Sequence, residues 1–253
     1  MAARRRKLVR PYHHGDLRRA LIDTALQIID EEGIAAVTIR TLAQRLGVSH
    51  AAPGYHFADR DALLVEVATE GFRLFADTLE AAARGTPTPT ARMVAVGLAY
   101  VRFASQHPSY LRVMFGRGVR EGYEWPEPLQ QEAHRGYRAL TLAVESLVAT
   151  VPGNPGSVEE ISFASWSLVH GMAMLWIDGP ARHALGDEAA LLAVAERAIL
   201  RQCEGIARQG GAPGPEPSAP EPSPPSPPVA RPCASAGPPS AARPATRGTS
   251  RRR

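Results

Sequence analysis

From residue 16 to residue 209, apolar side chains recur at three- and four-residue steps, and no segment alternates with a sustained period of two. That rhythm predicts helix nearly throughout and an all-α fold. The first helix is expected over 16–32, with Leu17, Leu21, Ala25, Ile28 and Ile29 on one face and Gly33 just past its end. Thr38 is a natural N-cap for a second helix carrying Ile39, Leu42, Ala43 and Leu46. Gly47 then permits a sharp turn, Val48 plugs the angle between two helices, and Ser49 is expected to cap a third helix from His50 to about Phe57. Asp59 offers the N-cap of a long fourth helix over 60–83, whose buried side holds Leu63, Leu64, Val67, Phe72, Phe75 and Leu79.

After the break at Gly85, Pro87 and Pro89, five more helices are expected near 90–106, 108–116, 127–150, 157–178 and 187–208. A third helix of eight residues cannot stand alone in water, so the first two must hold it. Three short helices with a glycine turn between the second and third form a helix-turn-helix. The organisation expected is a basic arm at 1–11, a helix-turn-helix domain at 12–59, a larger helical body at 60–209 and a tail at 210–253. The tail holds 13 of the chain's 23 prolines and few large apolar side chains, a composition that forms no packed core and is expected to be disordered.

Charge changes this picture because it is divided unevenly. Residues 1–60 carry a net charge of +4, residues 61–209 a net −4, and the tail +4, within a chain of 253 residues whose total is +4. A basic head on an acidic body points to a polyanionic partner for the head. Arg4, Arg5, Arg6, Lys7 and Arg10 have the composition of an arm for a minor groove or a line of phosphates, although such arms are also common without that role.

Cys203 and Cys233 have no metal-ligand spacing around them, so neither a metal site nor a structural disulfide is expected. No HExxH, GxSxG or phosphate-loop motif occurs, which argues against a helical enzyme, and no cofactor is expected. No apolar run approaches the length that crosses a bilayer, and the basic N-terminus leads into Pro11 and His13 rather than an apolar signal core. The reading is a cytoplasmic protein with no membrane partner.

Residues 38–64, TIRTLAQRLGVSHAAPGYHFADRDALL, resemble the DNA-binding domain of the TetR family of bacterial regulators, in spacing as well as residue type. Residues 12–33, YHHGDLRRALIDTALQIIDEEG, are similar to that family's first helix and its lead-in. The resemblance implies a regulator that binds double-stranded operator DNA as a homodimer, represses by default, and answers to a small ligand.

Physical chemistry assigns the contacts alongside the resemblance. A short helix of small residues sinks into a major groove, where Ala51 and Ala52 offer methyls to thymine and His50 can exchange a hydrogen bond with a base edge. Tyr55 and His56 suit phosphate or sugar contacts, which position without reading sequence. Thr38 and Arg40 start the second helix, where backbone N–H groups favour a phosphate. By resemblance, Arg40 reaches a guanine edge instead, and Arg60 holds a phosphate. Each residue also has a plain structural alternative: Thr38 and Ser49 as caps only, Arg40 and Arg60 solvated, His56 packed in the core. One departure stands out, because Gly54 occupies a position where the family commonly has tyrosine. Tyr55 is the candidate replacement, although its side chain emerges about 100° further round a helix.

Residues 163–179, FASWSLVHGMAMLWIDG, resemble a C-terminal domain of one TetR subgroup recognised by Trp, His and Gly at the spacing of Trp166, His170 and Gly171. Gly171 is expected to let a neighbouring helix approach closely. This helix and the last, with Leu191, Leu192, Val194, Ala195, Ala198, Ile199 and Leu200, are expected to form a four-helix dimer interface. A small apolar ligand is expected among Phe103, Met114, Trp166, His170 and Trp176, side chains that could equally fill the core. The rival to a sequence-specific regulator is an architectural protein that binds any duplex through its basic arm and tail.

Overall fold

The computed structural model describes residues 17–116 and 125–211, with side chains described as far as Gln209. The basic arm, the residues just before Leu17, residues 117–124 and the proline-rich tail lie outside them. Among the described residues the fold is all-α with no strand. The helices are α1 (Leu17–Glu32), α2 (Ile39–Leu46), α3 (Arg60–Ala83), α4 (Pro89–Gln106), α5 (Pro108–Phe115), α6 (Glu127–Val148), α7 (Val158–Ile177), α8 (Pro180–Leu185) and α9 (Glu188–Gly211). The described residues belong to one compact unit.

Local signals account for most of these boundaries. Thr38 caps α2 by accepting from the Thr41 N–H at 3.0 Å, while Thr41 Oγ1 accepts from the Thr38 N–H at 2.9 Å. That reciprocal capping box satisfies two donors that a bare helix end would leave to water. Gly47 ends α2 in the left-handed region at φ 68°, and the Val48 N–H reaches back to the Ala43 carbonyl at 3.1 Å. Asp59 caps α3 by accepting from the Ala62 N–H at 2.8 Å.

The expected third helix is not an α-helix. Residues Ala52–Tyr55 form a single tight 3-10 turn, closed by i to i−3 bonds such as Gly54 N–H to the Ala51 carbonyl at 3.1 Å. Pro53 offers no N–H and Gly54 favours no helix, so the segment cannot sustain the α ladder. Nor does Ser49 cap it with its side chain: the turn begins at Ala52, and Ser49 supplies its backbone carbonyl to the Ala52 N–H at 3.0 Å. Pro53 and Phe57 are buried, and they fasten the turn to the head.

One helix was not expected from the pattern. Gly179 and Pro180 read as a plain break, yet Pro180 takes the first position of α8, where its missing N–H costs nothing. The core is continuous, running from Leu21, Ile28 and Leu42 in the head through Leu64, Phe72 and Phe75 of α3 to Leu191 and Ile199 of α9.

Candidate nucleic-acid interface

The head exposes side chains at the start of α2 and in the segment after it. Thr38 and Arg40 are exposed there, as are Ser49, His50, Ala51, Tyr55 and His56, while Ala52 is half-buried. Tyr55 is 86 % exposed, more than any other large apolar side chain in the exposed set, and its ring has no intramolecular task. His56 is therefore not a packed core histidine. A Cβ at Gly54 would meet nothing within 4 Å, so the chain's own packing does not demand glycine there.

Cations in the head divide sharply. Arg18 pairs with Glu66 at 2.9 Å and lies 5.3 Å over the Phe57 ring; Arg19 pairs with Asp23 and Glu70, both at 2.6 Å; Arg45 pairs with Glu31 and Glu32. Among the described arginines of the head, Arg40 alone makes no hydrogen bond or ion pair, and it is exposed at the start of α2. A guanidinium left unspent beside a helix N-terminus is a ready ligand for a phosphate or a base edge.

Arg60 is spent differently. Its Nε donates to the Val37 carbonyl at 2.8 Å, one terminal nitrogen donates to the Ile34 carbonyl at 3.0 Å, and the other pairs with Asp61 at 3.2 Å. The side chain clamps the turn that leads into α2, so it fixes Thr38 and Arg40 on the head of α3. The sequence reading missed this role, and missed Thr41, because a Thr-x-x-Thr cap falls outside the usual Ser/Thr-x-x-Glu signature.

In the body, the five candidate ligand residues have different surroundings. Phe103 and Met114 are buried at 2 % and 0 % exposure and fill the core, with Phe103 packed 5.2 Å from the Phe75 ring. Trp176 is buried near α8, with Arg182 5.1 Å over its ring. Trp166 and His170 pack against Phe115, tilted at 6.1 Å and edge-on at 4.8 Å between ring centroids. His170 Nδ1 lies 2.7 Å from Tyr100 Oη, in hydrogen-bond contact, and burial holds the Tyr100 phenol well above its ordinary pKa. One small cavity among the described residues lies between α4, α7 and α9, with Gly97, Tyr100, Ser165, Val169, Ile199 and Gln202 among its lining. None of the five lines it. Large side chains in a close-packed interior tend to fill space rather than border it.

The outer face of α7 and α9 also differs from the expectation. Leu191, Ala195 and Ile199 are buried within the chain's own core, whereas Phe163, Leu175 and Leu200 are 62, 54 and 37 % exposed. Gly171 faces no neighbouring helix of this chain, since a Cβ there meets nothing within 4 Å. No helix among the described residues is long and apolar enough to cross a membrane, and no group of acidic, His and Cys side chains there could hold a metal.

Two family models match the chain. Residues 21–67 match the model described as bacterial regulatory proteins, tetR family, and residues 93–199 match the tetracyclin repressor-like C-terminal domain. The chain belongs to the TetR family. Among curated TetR-type relatives, it is 27 % identical over 195 residues to the HTH-type transcriptional regulator BetI of Brucella canis, covering 74 % of this chain and 92 % of that one. A solved Rhodococcus protein of unknown function is 31 % identical, with a TM-score of 0.62 over 76 % of this chain and 98 % of that one. A Rhodococcus regulatory protein of the tetR family shares the fold at 20 % identity, with a TM-score of 0.60 over 74 % of this chain and 95 % of that one. This TetR-family protein is a DNA-binding transcriptional regulator, and its relatives are regulators rather than enzymes.

Proposed function

We propose that the protein is a sequence-specific operator-binding repressor, a two-fold dimer that leaves its DNA when a small, largely apolar ligand binds the body. In this reading residues 12–59 are the reading head, 60–209 are the dimerising and sensing body, and the protein acts in the cytoplasm where its DNA lies. The observation that carries it is the unspent, exposed Arg40 guanidinium at the start of α2, with Ser49, His50, Ala51 and Tyr55 exposed in the segment after α2 and every other described arginine of the head already paired. Arg40 and the 49–52 edge read bases; Thr38, Tyr55 and His56 hold phosphate or sugar, with Arg60 behind them fixing the α2 entry and offering its remaining donors to the backbone. Repression follows because a dimer seated on a promoter blocks polymerase without any further contact surface.

We infer membership of the Trp-His-Gly subgroup from the spacing of Trp166, His170 and Gly171 in the sequence. The test of the whole reading is competition between the promoter fragment selected from genomic DNA and bulk duplex, followed by fluorescence anisotropy. Specific DNA should bind about a thousandfold tighter or better at physiological salt. Equal affinity for both, with a steep salt dependence, would assign the protein to the architectural class instead.

A further inference from the structure

The described part of this DNA-binding protein is not basic. Residues 17–60 hold five arginines and five carboxylates, so the described head has no net charge, and residues 61–209 carry a net −4. Four of the five arginines are engaged within the molecule, Arg18, Arg19 and Arg45 in ion pairs and Arg60 on the Val37 and Ile34 carbonyls, which leaves Arg40. One cation is few for the task. Neutralising phosphates supplies nearly all of a protein's affinity for an arbitrary duplex and a large share of its affinity for a chosen site, and strongly salt-dependent binders make about six to ten such contacts.

The chain's surplus of positive charge lies wholly at its two ends, with +4 in residues 1–16 and +4 in residues 210–253. Within the second of these the charges are sorted. Glu216 and Glu221 come first, and residues 222–253 then hold Arg231, Arg243, Arg247, Arg251, Arg252 and Arg253 with no acid among them. A segment kept for solubility alone has no need of that order, and acidic side chains serve solubility better than arginine. Arginine's planar fork instead matches the paired oxygens of a phosphate.

Two polyanions compete for such a segment, the acidic body and DNA. Glu66, Glu70, Asp77, Glu80 and Glu132 of the body already hold arginines of the described residues. Duplex DNA offers one unpaired charge about every 1.7 Å. Length does not confine the segment to the body, because the 42 residues after Gly211 can span up to about 140 Å, against about 36 Å for the 24 residues of α3.

We propose that residues 222–253 are a second DNA-binding element, which contacts duplex phosphates without reading sequence and retains the protein on DNA while the head selects its site. The proposal rests on the reading of the protein as a DNA-binding regulator and needs no ligand. As phosphate contacts, the six arginines raise affinity for operator and for bulk duplex by the same factor and leave the ratio of the two unchanged.

The experiment uses the full chain, with all six arginines changed to glutamine in one variant and to lysine in a second. Each is titrated by fluorescence anisotropy on the operator and on a random duplex of about 30 base pairs, over about 50 to 200 mM potassium chloride. Each engaged arginine adds about 0.9 to the slope of log affinity against log salt, so engagement of half of them makes the glutamine variant's slope shallower by about three per chain. Its affinity for both duplexes at the lower salt should fall on the order of tenfold or more, with the preference for operator within about threefold of wild type. Lysine keeps the charge and should keep most of the slope. The proposal is overturned by an unchanged slope in the glutamine variant, by an equal loss in the lysine variant, or by a loss confined to operator. A gain in DNA affinity on removing the arginines also overturns it, and would place them on the acidic body instead. If wild type shows no preference for operator, the repressor reading fails, while the slope on the random duplex still decides the role of residues 222–253.

Discussion

Tyr110 donates its hydroxyl to Glu70 Oε1 at 2.7 Å, and the same oxygen takes Arg19 at 2.6 Å. Three helices meet at one carboxylate: α5 of the body, α3, and α1 of the reading head. Burial pushes the Glu70 carboxyl up, yet the bonds from Arg19 and Tyr110 outweigh it and hold the group below the usual carboxylate range. Burial and the adjacent Glu70 push the Tyr110 phenol up to about 12, so it remains a donor at any physiological pH. The head is thus tied to the body by a charge-assisted joint as well as by apolar packing.

Tyr110→Phe should lower stability by about 1 to 3 kcal/mol, the range for a hydrogen bond to a charged group. The sign of the pH dependence follows from the depressed Glu70 pKa. Its contribution is fully present above the unfolded value of about 4.3 and is lost as pH falls through the lower folded value. Glu70→Gln should therefore flatten the acid limb of a stability profile below about pH 4 without altering its neutral plateau's slope. Thermal denaturation of both variants across pH checks this, and an acid limb identical to wild type would show that Glu70 is not part of it.

Arg40 and Arg60 should separate cleanly. Arg40 is exposed and unpartnered, so Arg40→Ala should leave the melting temperature unchanged and weaken specific binding by about 1 to 3 kcal/mol if it reads a base. Arg60 holds the Ile34 and Val37 carbonyls, so Arg60→Ala should lower the melting temperature and weaken binding to all sequences, with the salt slope reduced by about one. Equal, sequence-independent losses for both would make Arg40 a phosphate contact.

What the sequence made legible was what acts locally. Thr38, Gly47 and Asp59 declare their caps and turn by residue type, and all three stand where those types place them. The third helix was misread because an apolar rhythm survives the substitution of a 3-10 turn; the decisive fact is that Pro53 is buried and cannot donate. The inward and outward faces of α9 could not be sorted either, since Ile199 and Leu200 are alike in character and only the close crossing at Gly97 decides which one is covered. Size likewise marks Phe103 and Met114 as core by residue type, and both are buried there.

Gly97 makes a packing prediction that tests the α4 to α9 crossing directly. Gly97→Ala gains about 1 kcal/mol of helix propensity but drives its Cβ to 2.5 Å from Ile199 Cδ1, and overpacking costs about 1 to 3 kcal/mol. The net should be a modest loss. Ile199→Val removes that methyl, so the double variant should be more stable than the sum of the two single changes. Strict additivity by chemical denaturation would mean that the two residues do not touch.

The dimer face gives the last prediction. Phe163, Ser167, Gly171 and Leu175 stand four apart on α7, so they form one stripe along the helix. Its ends are large, apolar and exposed at 62 and 54 %, and its middle is small, with open space beyond Gly171. A partner helix can seat on such a stripe, its side chains over the small centre and between the two apolar ends. A two-fold contact there would carry two reading heads, which must lie about 34 to 36 Å apart, or a further turn, to meet successive major grooves. Leu175→Asp should leave the monomer's fold intact, because the side chain is mostly exposed, while breaking the pair. The variant should sediment as a monomer at micromolar concentration, keep its helical circular dichroism, and lose most of its affinity for an operator with two half-sites while retaining weak binding to one. A wild-type monomer under the same conditions, with and without operator, would remove the dimer from the mechanism. A Leu175→Asp protein that still dimerises would move the interface to another face.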